Sequence, residues 1–223
     1  MNIAFIVASP RSGTTFLEEI FNLHPNVCGW HEPYFIWKYY LSSKPNDYLD
    51  ESFVTDKIKK FVRKEFELYL SKSNKTLLLE KTPTNAFKIR FINEIFPEAK
   101  WIHIYRDGRD VISSMKVRYE FRKNLVLNKN LRQFISDVYF TLQIQPFWRH
   151  RIMAILHELK NTDHIRPYLH LSSSQWKKTV GWGPRYPGWE IDKEKLSEIE
   201  FMAYQWIKSE EFIQHDLKTI NNN

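Results

Sequence analysis

Apolar and polar positions along this chain switch between two periods, and the switches mark its elements. Ile3 to Ala8 is an unbroken apolar run of strand length, as expected for a strand buried on both faces of a parallel sheet. Small residues follow. From Thr14 to Leu23, Phe16, Leu17, Ile20 and Phe21 recur at helical spacing until His24-Pro25 ends the run. Val27 to Pro33 reads as a short extended segment, Tyr34 to Leu41 as a second helix and Ser42 to Asn46 as a loop. Asp50 to Leu70 predicts one long amphipathic helix, with Phe53, Ile58, Phe61, Val62, Phe66 and Tyr69 inward.

Thr76 to Leu79 is a second buried-strand pattern, with Glu80-Lys81-Thr82-Pro83 leaving its carboxyl end. Asn85 to Phe96 predicts a helix stopped by Pro97, Lys100 to Tyr105 a third strand, and Gly108 to Tyr119 a helix with Asp107 as N-cap. Asn130 to Leu159 reads as mainly helical with a break at Pro146. Ser172 to Trp189 reads as an irregular aromatic loop, and Lys193 to Leu217 as a final helix. Strands alternating with helices predict an α/β chain: a P-loop-type three-layer fold with a central parallel sheet flanked by helices, in a single domain over residues 1–223.

Composition narrows the class. The chain has 223 residues, 43% hydrophobic and 16% aromatic, which suits a folded domain with a sizeable core. Its net charge of +7 favours an anionic ligand without naming one. Cys28 is the single cysteine, which excludes an intrachain disulfide and a CxxC zinc site. No apolar run approaches the roughly 18 residues of a membrane span. The first strand begins at once, without a basic leader region, so the expectation is a soluble cytoplasmic protein. Lys and Arg are scattered and no nucleic-acid motif is present, so nucleic acid is not an expected partner.

The chemistry concentrates after the strands. A strand, a small-residue loop and a helix N-terminus bind phosphate, because free N–H groups and the helix dipole converge on one point. Set against GxxxxGK[ST], Ala8 stands at the first Gly, Gly13 at the second, Thr14 at the Lys and Thr15 at the hydroxyl. The positive charge has moved into the loop, to Arg11. Arg11, Lys81 and Arg106 each follow a predicted strand, and ligands of open α/β sheets lie beyond the strands' carboxyl ends.

These residues resemble the sulfotransferases that use 3′-phosphoadenosine 5′-phosphosulfate (PAPS), closest to the branch with a PRSGTT loop and an RDxRD motif that includes bacterial, Golgi carbohydrate and tyrosylprotein enzymes. Pro10 to Thr15 is similar to the family's 5′-phosphosulfate loop, which assigns cofactor contacts to Arg11, Ser12, Gly13, Thr14 and Thr15. Tyr105 to Met115 is similar to its 3′-phosphate motif, which assigns them to Arg106 and Ser114. Glu80-Lys81-Thr82-Pro83 and Phe96 to Lys100 also have the family's look. The resemblance makes Glu32 the general base, with His31 as its rival. It makes Arg11 and Lys81 the groups that neutralise charge on the transferring group and the leaving oxygen. It implies PAPS as co-substrate, adenosine 3′,5′-bisphosphate as product, no metal, and a hydroxyl-bearing acceptor, a carbohydrate or other small molecule. Gly108 stands where the family commonly has Pro. Family members usually continue past the final helix, so the domain is expected to be incomplete at its C-terminus.

Two other readings stand beside it: a Mg-dependent P-loop kinase-like enzyme using Asp107, against which the missing Lys speaks, and a non-catalytic nucleotide- or anion-binding remnant. Plain structural roles are the reading for Arg109 and Asp110 and for His24, His103, His150 and His157. Trp182, Arg185 and Trp189 read first as packing and loop residues.

Overall fold

The structure is a computed structural model that describes residues 1–41, 46–127, 148–160 and 183–221. Its elements in chain order are β1 (Ile3–Ala8), α1 (Thr14–Asn22), β2 (Val27–His31), α2 (Tyr34–Trp37), α3 (Asp56–Ser73), β3 (Leu77–Lys81), α4 (Ile89–Ile95), β4 (Lys100–Ile104), α5 (Gly108–Leu127), α6 (Trp148–Lys160), α7 (Trp189–Lys195) and α8 (Glu198–Asn221). Short 3₁₀ turns cover Glu51–Phe53 and Pro83–Phe87. The chain groups into two compact units. One comprises Met1–Pro33, Ser43–Met115 and Gly183–Asn223, the other Tyr34–Ser42 and Lys116–Trp182.

The first unit holds a four-stranded sheet, all parallel, in the order β2-β3-β1-β4. All six residues of β1 are buried, as its unbroken apolar run requires. Alternation along β1 sends side chains to two faces. Ala4 and Ile6 join Val27 and Leu79, against Leu17 and Phe21 of α1. On the other face, Phe5 lies 6.2 Å from Phe66 of α3 and 5.7 Å from Phe96, ring to ring. Val7 packs there with Phe87, Tyr186, Phe201 and Ile213. Helices therefore cover both faces, the three-layer α/β arrangement that the strand–helix alternation predicts. Each fully buried Phe adds on the order of 1.5–3 kcal/mol to that core.

Register fixes where the site lies. Ile6 pairs with Lys81, His31 with Lys81, and Ala8 with Ile104. The carboxyl ends of all four strands thus fall along one edge, and Ser9, Glu32, Thr82 and Tyr105 step off it together. Lys81 is itself the last strand residue rather than part of the connection after it.

Several helix boundaries differ from the sequence reading, for local reasons. The Asp50–Leu70 helix is two elements, because two caps compete. Asp50 accepts from Ser52 N to close the 3₁₀ turn, Val54 is extended, and Thr55 accepts from Ile58 N to start α3. The Asn85–Phe96 helix begins instead as a 3₁₀ turn and resumes at Ile89, after Lys88 leaves the helical region. The final helix is α7 and α8, divided by a reciprocal cap: Ser197 N donates to Glu200, and Glu200 N donates back to Ser197 Oγ. Gly183 to Trp189 is anchored, since Tyr186 is buried and donates to Asp192, and Arg185 lies over the Trp189 ring.

In the second unit, α2 is one turn long and packs on α6, with Phe35 5.8 Å from the His150 ring. Beyond Trp37 the chain turns rather than continuing as helix to Leu41. Of the Asn130–Leu159 reading, the part from Trp148 onward is helical. The rest of it, including Pro146, lies outside the described residues, as does the loop reading from Ser172 to Trp182. Among the described residues no helix is long and apolar enough to cross a membrane.

Candidate active site

The loop after β1 is shaped by two left-handed residues, Arg11 with φ 67° and Gly13 with φ 95°. A Cβ at Gly13 would meet nothing within 4 Å, so glycine is needed there for its torsion and the loop's mouth is open. The first α1 ladder bond runs from Leu17 N to Gly13 O. The N–H groups of Thr14, Thr15 and Phe16 precede it, the array that holds an anion at a helix N-terminus. Ser12 turns its hydroxyl inward, 2.8 Å from Ser9 Oγ, so its own offer to an anion is the backbone N–H.

The second basic corner meets the first directly. Arg106 Nη1 donates to the Arg11 carbonyl at 3.0 Å, and Arg11 Nε donates to Ser114 Oγ at 3.1 Å. Arg11 therefore stands beside Arg106 and Ser114, which lie 95 and 103 residues further along the chain. Asp107 caps α5 by accepting from Arg109 N at 2.9 Å. The Arg109 guanidinium, together with that backbone bond, holds the Asp107 carboxyl down at about 2. The Arg109 side chain is otherwise exposed. Trp206 of α8 donates from its indole N–H to the Arg106 carbonyl at 3.2 Å. A Cβ at Gly108 would come within 2.9 Å of that indole, which explains why glycine stands where a bulkier residue would collide.

Lys81 links the loop to the candidate base. Its buried side chain places Nζ 2.7 Å from Glu32 Oε1, 3.2 Å from Thr15 Oγ1 and 3.9 Å from Glu18 Oε2. Glu32 sits just past β2 with φ 49°, its N–H donating to Lys81 O at 3.0 Å. A non-glycine residue held there costs about 1–2 kcal/mol, and the conformation turns its carboxylate in toward Lys81. His31 carries the other half of the cluster, with Nδ1 2.7 Å from Glu18 Oε2 and Nε2 3.6 Å from Glu32 Oε1. Deeper, Glu210 of α8 accepts from Ser9 N at 3.4 Å and lies 2.9 Å from His103 Nε2, tying the loop's first residue to the C-terminal helix.

The structure thus gathers Arg11, Thr15, Glu32, Lys81, Arg106 and Ser114 along one sheet edge, with Gly13 and Thr14 at the helix start between them. Sequence reasoning missed Glu18, Glu210 and Trp206. Glu18 adjoins Glu19 in a helix, and only the helix's rotation tells which carboxylate is buried. Glu210 lies 201 residues after the Ser9 it touches and Trp206 lies 100 residues after the Arg106 it touches, and no spacing rule reaches that far.

A profile of the sulfotransferase family matches residues 4–166. The chain belongs to the sulfotransferase family. Both phosphate-loop and RDxRD residues fall inside the matched stretch. The chain is 30% identical over 127 residues to human protein-tyrosine sulfotransferase 1, covering 52% of this chain and 34% of that protein. It is 31% identical over 127 residues to the Danio rerio protein-tyrosine sulfotransferase 1, covering 52% and 35%. A putative protein-tyrosine sulfotransferase of Caenorhabditis briggsae is 30% identical over 121 residues, covering 51% and 42%. The chain spans about a third of the length of the first of these relatives. A solved sulfotransferase domain from the curacin biosynthetic pathway covers 96% of each chain at 17% identity, with a TM-score of 0.41.

Proposed function

We propose that this sulfotransferase-family chain moves a sulfuryl group from PAPS to a hydroxyl acceptor, with Glu32 as general base. The observation that carries the reading is Lys81, whose ammonium touches both the loop (Thr15) and the candidate base (Glu32). When bound, PAPS supplies the sulfuryl group. The loop N–H groups from Gly13 to Thr15 and the Arg11 guanidinium would hold its phosphosulfate end, and Arg106 with Ser114 its 3′-phosphate. Glu32 takes the proton from the acceptor's hydroxyl. Lys81 holds the carboxylate in place and supplies fixed positive charge at the loop, an electrostatic contribution of the kind that dominates in phosphoryl transfer. The acceptor is a carbohydrate, another small molecule or, following the names of the relatives, a tyrosyl side chain; all three present a hydroxyl.

A kinase-like reading would assign Asp107 to a magnesium ion. That carboxylate is already committed to the α5 N-terminus and to Arg109, which favours the sulfotransferase reading. Isothermal calorimetry separates the two. Binding of adenosine 3′,5′-bisphosphate without Mg²⁺, lost in Arg106→Ala, supports the proposal; ATP binding that requires Mg²⁺ and survives Arg106→Ala overturns it.

A further inference from the structure

We propose that His31 is the relay through which Glu32 passes its proton to solvent, and that Glu18 is the residue that positions it. This rests on the sulfotransferase reading, because it concerns the proton that reading places on Glu32. His31 stands between two carboxylates, Glu18 on its Nδ1 side at 2.7 Å and Glu32 on its Nε2 side at 3.6 Å. Glu18 is buried in α1 and its side chain is 4% exposed, whereas that of His31 is 48% exposed. A buried carboxylate beside Nδ1 keeps the neutral ring's proton on that nitrogen. Nε2 is then the free acceptor of the ring, 3.6 Å from Glu32 Oε1, a gap that must shorten for the proton to pass.

The charges around the ring favour the transfer. Facing His31 are Glu18 from α1, Glu32 from the end of β2, and Lys81 from β3, whose ammonium lies 3.9 Å from Glu18 and 2.7 Å from Glu32. Moving a proton from neutral Glu32 to His31 restores the Lys81–Glu32 ion pair and creates a His31–Glu18 pair, so each new charge forms beside its opposite. Lys81 is buried and Glu32 largely so, at 2% and 29% side-chain exposure. His31 is the member of the cluster with the most open path to water.

The proton balance is simple. As the acceptor oxygen bonds to sulfur, the bond from sulfur to the 5′-phosphate oxygen breaks, and adenosine 3′,5′-bisphosphate leaves with that electron pair. The hydroxyl proton goes to the Glu32 carboxylate. It passes to His31 Nε2, giving imidazolium, and then to water or buffer. Each turnover releases one proton and returns Glu32 to carboxylate and His31 to the neutral ring.

The test uses the full chain, in labelled sulfate transfer and in nitrogen NMR of the ligand-free protein. His31→Ala is expected to lower turnover about tenfold or more at unchanged acceptor KM and unchanged adenosine 3′,5′-bisphosphate affinity, and added imidazole is expected to restore it in a concentration-dependent way. A merely structural histidine gives no such rescue. Ring-nitrogen shifts of neutral His31 are expected to report the Nδ1–H tautomer, with that preference weakened in the near-isosteric Glu18→Gln. Unchanged turnover in His31→Ala, a loss that imidazole does not restore, or an Nε2–H tautomer overturns the relay while wild-type transfer leaves the sulfotransferase reading intact. A wild-type chain that transfers no sulfate to any acceptor overturns that reading, and the relay with it.

Discussion

Lys81 Nζ lies 2.7 Å from Glu32 Oε1, and the two backbones are joined as well, by Glu32 N–H donating to Lys81 O at 3.0 Å. Parallel pairing of β2 and β3 makes that double contact possible, because it sets the end of one strand beside the end of the other. Removing the ammonium leaves Glu18 and Glu32 without their shared cationic partner and Thr15 without its donor. Lys81→Met is therefore expected to lower stability by about 1–3 kcal/mol, read from urea denaturation. Part of that loss should return in Lys81→Met/Glu32→Gln, since the orphaned charge is gone; strict additivity of the two changes would count against the pairing.

Gly108 and Trp206 give a second prediction. A methyl group at Gly108 meets the indole at 2.9 Å and must push it off the Arg106 carbonyl. Gly108→Ala is expected to cost about 1–3 kcal/mol and to weaken adenosine 3′,5′-bisphosphate binding through Arg106. Adding Trp206→Ala relieves the collision, so the double variant should be less destabilised than the sum of the two singles. Calorimetry and thermal denaturation of the four proteins check this.

Acid sensitivity follows from Glu98. The Arg63 guanidinium, bonded to both Glu98 oxygens, holds that carboxyl at about 2, down from the ordinary 4.5. A depressed carboxylate adds stability above its unfolded value and loses it as pH falls through the folded one. The pair is partly open to solvent, so the contribution is about 1 kcal/mol. Stability should decline between pH 4.5 and about 2, and Glu98→Gln should flatten that decline. An unchanged acid profile in the variant would show that the pair contributes nothing.

Much of this was legible in the sequence where structure is local. β1 reads directly from six apolar residues, because both of its faces are covered. Arg11 and Arg106 could be placed at one edge because they follow strands, and ligands of parallel sheets lie there. The single Asp50–Leu70 helix failed because apolar spacing runs on past Thr55 while the break is made by capping side chains. The Ser197–Glu200 cap was visible as Ser-x-x-Glu, but helical periodicity on either side masked it. Glu18 and the pairing of His31 with Lys81 were not legible. Parallel pairing joins strands distant in the chain, and nothing local encodes which two will be neighbours.

The most direct test of the central claim is transfer of labelled sulfate from PAPS by the wild-type chain and by Glu32→Ala, with nucleotide affinity measured on the same samples. The account predicts transfer by the wild type, and a loss of roughly a hundredfold or more in the variant at unchanged affinity for adenosine 3′,5′-bisphosphate. Equal turnover by the two proteins would contradict it.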